Sequence, residues 1–198
     1  MSAWESPIII VTTGLLNTVN DSKIAGNNSG AGSTSRFGGQ LGKQLWVSSG
    51  QISQMYSSTI GTLYAGVYQY VKFNLGDTPP VVGQAAYWKS GSTITDFIVT
   101  TASNGGATST PMPAGVFISA AVAGNYCFIQ IAGLVVVKYK SGLTVAAATG
   151  AAVIANADGT FDTNAGTNVP NFVGTAWTLP VSNSTAIVQL DSAMLGRA

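Results

Sequence analysis

Residues 124–137 read GNYCFIQIAGLVVV. A Gly-Asn turn signal opens the stretch, and an almost unbroken apolar run follows it. In an extended chain Tyr126, Phe128, Gln130 and Ala132 point one way, and Cys127, Ile129 and Ile131 point the other. Both sets are largely apolar, which predicts a central strand buried on two faces, not one half open to water. Gly133 breaks the run where a bulge or a close backbone neighbour belongs. Lys138 and Lys140, alternating with Tyr139, return the chain to water. Tyr126, Cys127, Phe128, Ile129 and Ile131 are therefore the expected heart of the core.

Outward from that strand the pattern stays extended. Val67, Gln69, Val71, Phe73 and Leu75 alternate with Tyr68, Tyr70, Lys72 and Asn74, which predicts a strand over 67–75. Gly76, Asp77, Thr78, Pro79 and Pro80 make a turn that no central strand accommodates. Further strands are expected over 81–89, 94–101, 115–120, 143–148, 151–155, 172–177 and 185–190, with Asp158-Gly159 as a hairpin signal. No stretch keeps helical periodicity over three turns. The expected fold is all-β: a compact antiparallel β-barrel or sandwich of about eight short strands.

The first 60 residues differ. Ile8, Ile9, Ile10 and Val11 form a short β-prone run fenced by Pro7 and Gly14. Residues 17–42 are rich in Asn, Ser, Gly and Thr, with too little apolar surface to offset their ordering entropy alone. Residues 44–56 are mixed, compatible with a short strand and a turn or with one or two helical turns. The expected organisation is an extended arm over 1–60, ordered by neighbouring subunits, and a barrel over 61–198.

Only 8% of the 198 residues are charged, against roughly 25% in an ordinary soluble domain. A free monomer needs surface charge for solubility, whereas a surface covered by other subunits does not. The composition thus points to life in an assembly. The net charge of +1 provides no basic field for nucleic acid. No charge lies between Asp96 and Lys138, so residues 113–137 have the length of a membrane span. Gly115, Gly124, Asn125, Gln130 and Gly133, with many β-branched residues, favour buried strands there instead. No secretory leader is expected, because Glu5 stands where a basic region belongs and 8–11 is too short for an apolar core.

Enzymatic chemistry finds little purchase. The chain has no histidine, which excludes Ser-His-Asp and Cys-His sites and any His-ligated metal. The single cysteine, Cys127, sits in the apolar run as a small buried hydrophobe, with nothing cationic nearby in sequence to activate it. Asp158 and Asp162 are the one carboxylate pair close in sequence. They are expected at a hairpin tip as solvated groups, since the matching calcium-loop position is Ile154. Tyr68, Tyr70, Tyr87 and Trp88, with Lys72 and Lys89, have the types that stack on bases or sugars, but alternate aromatics on strands usually pack across the sheet. No cofactor, metal or catalytic residue is expected, and no activity.

A resemblance narrows this. YQYVKFNLG (68–76), VVGQAAYWKS (81–90), AGVFISAAVAGNYCFIQIAGLVVV (114–137), ADGTFDT (157–163) and VGTAWTLPVSNSTAIVQLD (173–191) follow one another in an order that resembles the capsid decoration, or cement, proteins of tailed bacteriophages. The passage AG-x-YC-F-IQ-I-x-G is its most specific part. Residues 1–60 have no counterpart in it. The resemblance implies a small barrel, a homotrimer, and binding to the major capsid protein on the outside of the virion head after synthesis in the host cytoplasm. Nucleic acid and membrane are not expected partners. Trp4, Pro7, Ile8, Ile9, Ile10 and Val11 are the expected capsid or subunit contacts. The alternative is a receptor- or glycan-binding module of a tail fibre or adhesin.

Overall fold

The structure, a computed structural model, describes residues 41–42, 44–49, 63–89, 96–101, 112–121, 123–124, 126–144, 148–164 and 172–191. Its ten strands are β1 (Gln44–Val47), β2 (Gly66–Phe73), β3 (Ala85–Trp88), β4 (Ile98–Thr100), β5 (Pro113–Phe117), β6 (Tyr126–Lys138), β7 (Ala152–Ala155), β8 (Phe161–Asn164), β9 (Phe172–Ala176) and β10 (Thr185–Leu190). They form one sheet in the order β1-β2-β4-β3-β5-β6-β10-β9-β7-β8, and β2 also pairs with β6. That extra pairing closes β2, β4, β3, β5 and β6 into a five-stranded barrel, so the all-β expectation holds. Closure removes the open edges that a free sheet exposes. All pairings are antiparallel except β2 with β4, where Lys72 faces Ile98 and Phe73 faces Val99 in parallel.

β6 belongs to two rings. Its first half pairs with β2 and β5, and its second half with β10. Past its end Tyr139 bridges Phe161 in parallel, and the Lys140 N–H donates to the Phe161 carbonyl at 3.0 Å. The strands β10, β9, β7 and β8 are thereby drawn round towards the tail of β6. Thirteen residues let one strand serve both rings.

The parity read from sequence is kept along β6. Cys127, Ile129, Ile131, Val135 and Val137, with Tyr139 beyond, enter the main core, where Val71, Phe73, Tyr87, Phe117, Phe161 and Val188 meet them. Tyr126 and Phe128 enter a second, smaller core with Leu45, Val47, Leu63, Tyr68, Tyr70 and Ile118. Burial on both faces is thus real, but only as far as Ile131. Leu134 and Val136 are partly exposed, because the second core ends there. Gly133 does what a glycine in a strand suggests. Val67 faces Ala132 while Tyr68 faces Gln130, leaving Ile131 as the extra residue of a bulge.

Several boundaries differ from expectation for local reasons. The strand expected over 81–89 begins only at Ala85, because Gly83 turns with φ +86 and its N–H reaches the Phe117 carbonyl at 2.8 Å. Of the stretch 94–101, residues 94–95 lie outside the described set, and among the rest the strand covers Ile98–Thr100, since Phe97 has φ +47. The strand expected over 115–120 runs instead over Pro113–Phe117, with proline as its first residue, a position that needs no ladder N–H. Leu143 and Thr144 are not in a strand; residues 145–147 lie outside the described set. Asp158-Gly159 turns as expected, with the Asn156 N–H donating to the Thr160 carbonyl at 2.8 Å.

Within the segment read as an arm, the described strand pairs with β2 of its own chain. Gln44–Val47 pairs with β2, and Leu41 packs on the second core beside Leu45 and Val47. The apolar stretch 113–137 is divided between β5 and β6. No helix among the described residues is long and apolar enough to cross a membrane.

Candidate interaction surface

Among the described residues, seven large apolar side chains stand open to solvent: Trp46, Leu75, Val81, Met112, Trp177, Leu179 and Val181. The last three share one feature, the β9–β10 connection. Trp177, Leu179 and Val181 are 60%, 56% and 53% exposed, while Pro180 between them is buried. Alternation thus places three apolar groups outward along five residues.

This tip is held by its own backbone and by the neighbouring loop. The Trp177 and Thr178 N–H groups both donate to the Ile187 carbonyl, at 2.9 and 3.1 Å, and the Ile187 N–H donates to Thr178 Oγ1 at 2.8 Å. The Ser184 N–H closes the turn on the Val181 carbonyl at 3.2 Å. From across the gap, the Gly142 N–H donates to Ser182 Oγ at 2.7 Å, and the Asn183 N–H donates to the Lys140 carbonyl at 2.9 Å. Asn183 takes φ +54, a left-handed conformation that Asn tolerates better than most residues.

Behind the tip lies an ionic cluster that sequence reading missed. Asp162 is only 2% exposed and pairs with Lys140 Nζ at 2.6 Å. Its carboxylate also accepts from the Thr144 N–H at 2.9 Å, from the Thr163 N–H at 2.8 Å and from the Thr144 hydroxyl. Lys140 Nζ donates to Thr144 Oγ1 at 2.8 Å as well. Burial works to raise the Asp162 pKa, but Lys140 and the Thr donors outweigh it and hold the carboxyl below its usual range. The expectation of a solvated Asp162 is therefore corrected. A strand of four residues puts Asp162 on the inward side, where only the packing of β6's tail and the 140–144 loop could reveal a partner. Asp158 does sit at the hairpin tip, accepting from the Thr160 N–H at 2.9 Å and hydroxyl at 2.6 Å.

A groove of about 500 Å³ opens between β1 and β9. Trp46, 73% exposed, and Phe172 stand as walls. Gly66, Gly133 and Gly174 form much of the floor, and Gln189 and Asp191 contribute polar groups. None of the three glycines has room for a Cβ, which would stand 2.2, 2.4 and 2.0 Å from a neighbouring backbone oxygen at Gly66, Gly133 and Gly174.

The stacking candidates are otherwise employed. Tyr68, Tyr70 and Tyr87 are buried, with the Tyr70 ring 5.0 Å from Phe128 and 5.8 Å from Tyr126. Trp88 meets the edge of Phe97 at 6.2 Å. Cys127 is fully buried, which pushes its thiol up to about 12. Tyr126, Cys127, Phe128, Ile129 and Ile131 all lie in the core as expected, divided between its two parts. Trp4, Pro7, Ile8, Ile9, Ile10 and Val11 lie outside the described residues. No group of three or more His, Cys, Asp or Glu among the described residues is arranged to hold a metal ion.

The tip was hidden in the sequence by its own pattern. Trp177, Leu179 and Val181 alternate as buried strand residues do, and only the turn chemistry of Pro180, Ser182 and Asn183 marked the difference.

No protein-family model matches the chain, and no curated protein sequence matches it. Among solved structures the chain is similar to the head fiber gp8.5 N base in bacteriophage phi29, with a TM-score of 0.44 and 11% identity over 66% of this chain and 98% of that one. A likeness at that level says nothing of what this chain binds.

Proposed function

We propose that the chain is a structural virion protein that binds the major capsid protein on the outer face of an assembled phage head and stabilises the shell by bridging its capsomers. The observation that carries this reading is the pairing of a charge-poor chain with large apolar side chains presented to solvent. Such a surface is costly for a free monomer and fits a protein whose faces are covered in an assembly. The sequence resemblance to cement proteins supports the choice of a phage head, and with it a homotrimer without enzymatic activity, cofactor, nucleic acid or membrane. Stabilisation would come from apolar area buried at many joints, at roughly 25 cal/mol per Å² less the cost of association.

Imaging of virions with and without the protein tests the reading. Hundreds of copies spread over the head, with heads that burst more readily when it is missing, are the expected result. A few copies at a tail tip would sink it and favour the second reading, a receptor- or glycan-binding module. That alternative rests on the Trp46 groove, where an exposed indole stands beside Gln189 and Asp191, the kind of aromatic and polar lining that sugars use.

A further inference from the structure

We propose that the Trp46 groove is a binding site for uncharged pyranose oligosaccharides. The inference deepens the second reading above, yet it holds wherever on the virion the chain sits, so virion imaging and sugar binding fail separately.

The groove has two banks of different chemistry. On one, Trp46 of β1 faces Val67 of β2 in register, and partners in register share a face of the sheet. On the other, Thr175 of β9 faces Gln189 of β10, and Asp191 follows two residues after Gln189. Ala132 and Gly133 of β6 lie between the banks, with Val67 facing Ala132 and Leu190 facing Gly133. Both banks are held by ladders, and the Asp191 N–H extends the second by donating to the Val173 carbonyl at 3.0 Å. Gln189 Nε2 donates to the Leu190 carbonyl at 3.3 Å. A ligand therefore meets a surface already in place and costs little ordering of the protein.

The lining selects among occupants. Among the described residues that line the groove, Asp191 is the one charged group and none is basic. An anionic ligand would meet like charge, and a purely apolar one would cover a carboxylate without giving it a donor. A single basic side chain would gain little from Asp191, which is exposed, and would leave most of about 500 Å³ empty. An uncharged pyranose meets every term. Its C–H face packs on the 73% exposed Trp46. Its hydroxyls donate to Asp191, whose carboxylate has about four acceptor positions, and both donate to and accept from Thr175 and Gln189. The volume falls within the range of roughly 300–1,000 Å³ that small-molecule sites occupy.

Isothermal titration of the full chain with cellohexaose, chitohexaose and maltohexaose tests this, with a hexamer of galacturonic acid as the anionic control. At least one of the three uncharged sugars should bind with a Kd in about the millimolar range or tighter, and the anionic hexamer should not. Trp46→Ala and Trp46→Leu should each bind roughly tenfold more weakly or worse, because leucine keeps apolar bulk but offers no ring face. Circular dichroism checks that each variant folds, and either one suffices. Asp191→Asn should also weaken binding, through a poorer acceptor. Failure of all three sugars to bind, equal binding of the galacturonate hexamer, or a Trp46→Leu variant that binds like the wild type would each overturn the proposal. So would self-association that Trp46→Leu abolishes and no sugar competes for, which would give the groove to a second copy.

Discussion

Gly66 and Gly133 face each other across β2 and β6 with no room for a side chain on either. A Cβ on Gly133 would stand 2.4 Å from the Ala65 carbonyl oxygen and 2.7 Å from the Gly66 Cα. A Cβ on Gly66 would stand 2.2 Å from the Ala132 carbonyl oxygen. Gln130 secures the bulge beside them, with Nε2 donating to the Ala132 carbonyl at 3.1 Å and the Leu134 carbonyl at 2.7 Å. The bulge in β6, where its pairing with β2 gives way to its pairing with β10, lies at this contact.

Gly133→Ala and Gly66→Ala should each cost about 1–3 kcal/mol or more, the first through both a φ of +93 and the clash. Gly142→Ala, with φ +69 but nothing within 4 Å, should cost only about 1–2 kcal/mol. The double Gly66/Gly133 variant should lose less than the sum, because either change already opens the same gap. Urea midpoints check all four; additive losses would mean that the two sites do not share one contact.

Ile129→Ala should cost about 2–5 kcal/mol, and Phe128→Ala about 3–5 kcal/mol, although the neighbours lie in different cores. Ile129→Asp should not fold at neutral pH, for want of any partner to a buried carboxylate. Asp158→Asn should be nearly neutral, since an amide oxygen also accepts from the Thr160 N–H and hydroxyl. If chemical denaturation ranks Asp158→Asn above Ile129→Ala, β6 is not the centre of this fold.

Asp162 gives stability a definite pH dependence. Its carboxyl is held below the usual value near 3.9, so the unfolded chain binds that proton more readily than the folded one. The contribution is complete above about pH 5 and is lost as pH falls through the ordinary value towards the folded one. Asp162→Asn should cost about 1.5–3 kcal/mol at pH 7, through weaker hydrogen bonds to Lys140 and Thr144. The gap between wild type and variant should then shrink on acidification. A gap that is constant from pH 7 to about pH 3 would show that the ion pair does not contribute.

Cys127 should resist alkylation in the folded protein at pH 8, because burial pushes its thiol up to about 12. Mass spectrometry should find labelling only as fast as the barrel opens, with urea restoring ordinary reactivity. Rapid native labelling would place Cys127 outside the core.

Much of the fold could be read from local pattern. The alternation over 185–190 matches Thr185–Leu190 residue for residue, and the run after Gly124 became the longest strand, because side-chain parity depends only on neighbours along the chain. The bulge at Gly133 and the turn at Asp158-Gly159 followed from backbone freedom alone. The charge-poor composition announced apolar surface without saying where it lies.

The tertiary structure decided what parity cannot: how much lies opposite each face. Tyr126 and Phe128 are buried because β1 and Leu63 cover them, whereas Leu134 and Val136, on the same face of the same strand, are not covered. Trp177, Leu179 and Val181 alternate like core residues yet stand in solvent, because no element of the described chain crosses them. Asp162 read as solvated and is buried, since its partners Lys140 and Thr144 come from a loop about twenty residues earlier in sequence. Period and propensity act between neighbours in the chain, while burial and ion pairing act between segments that only folding brings together.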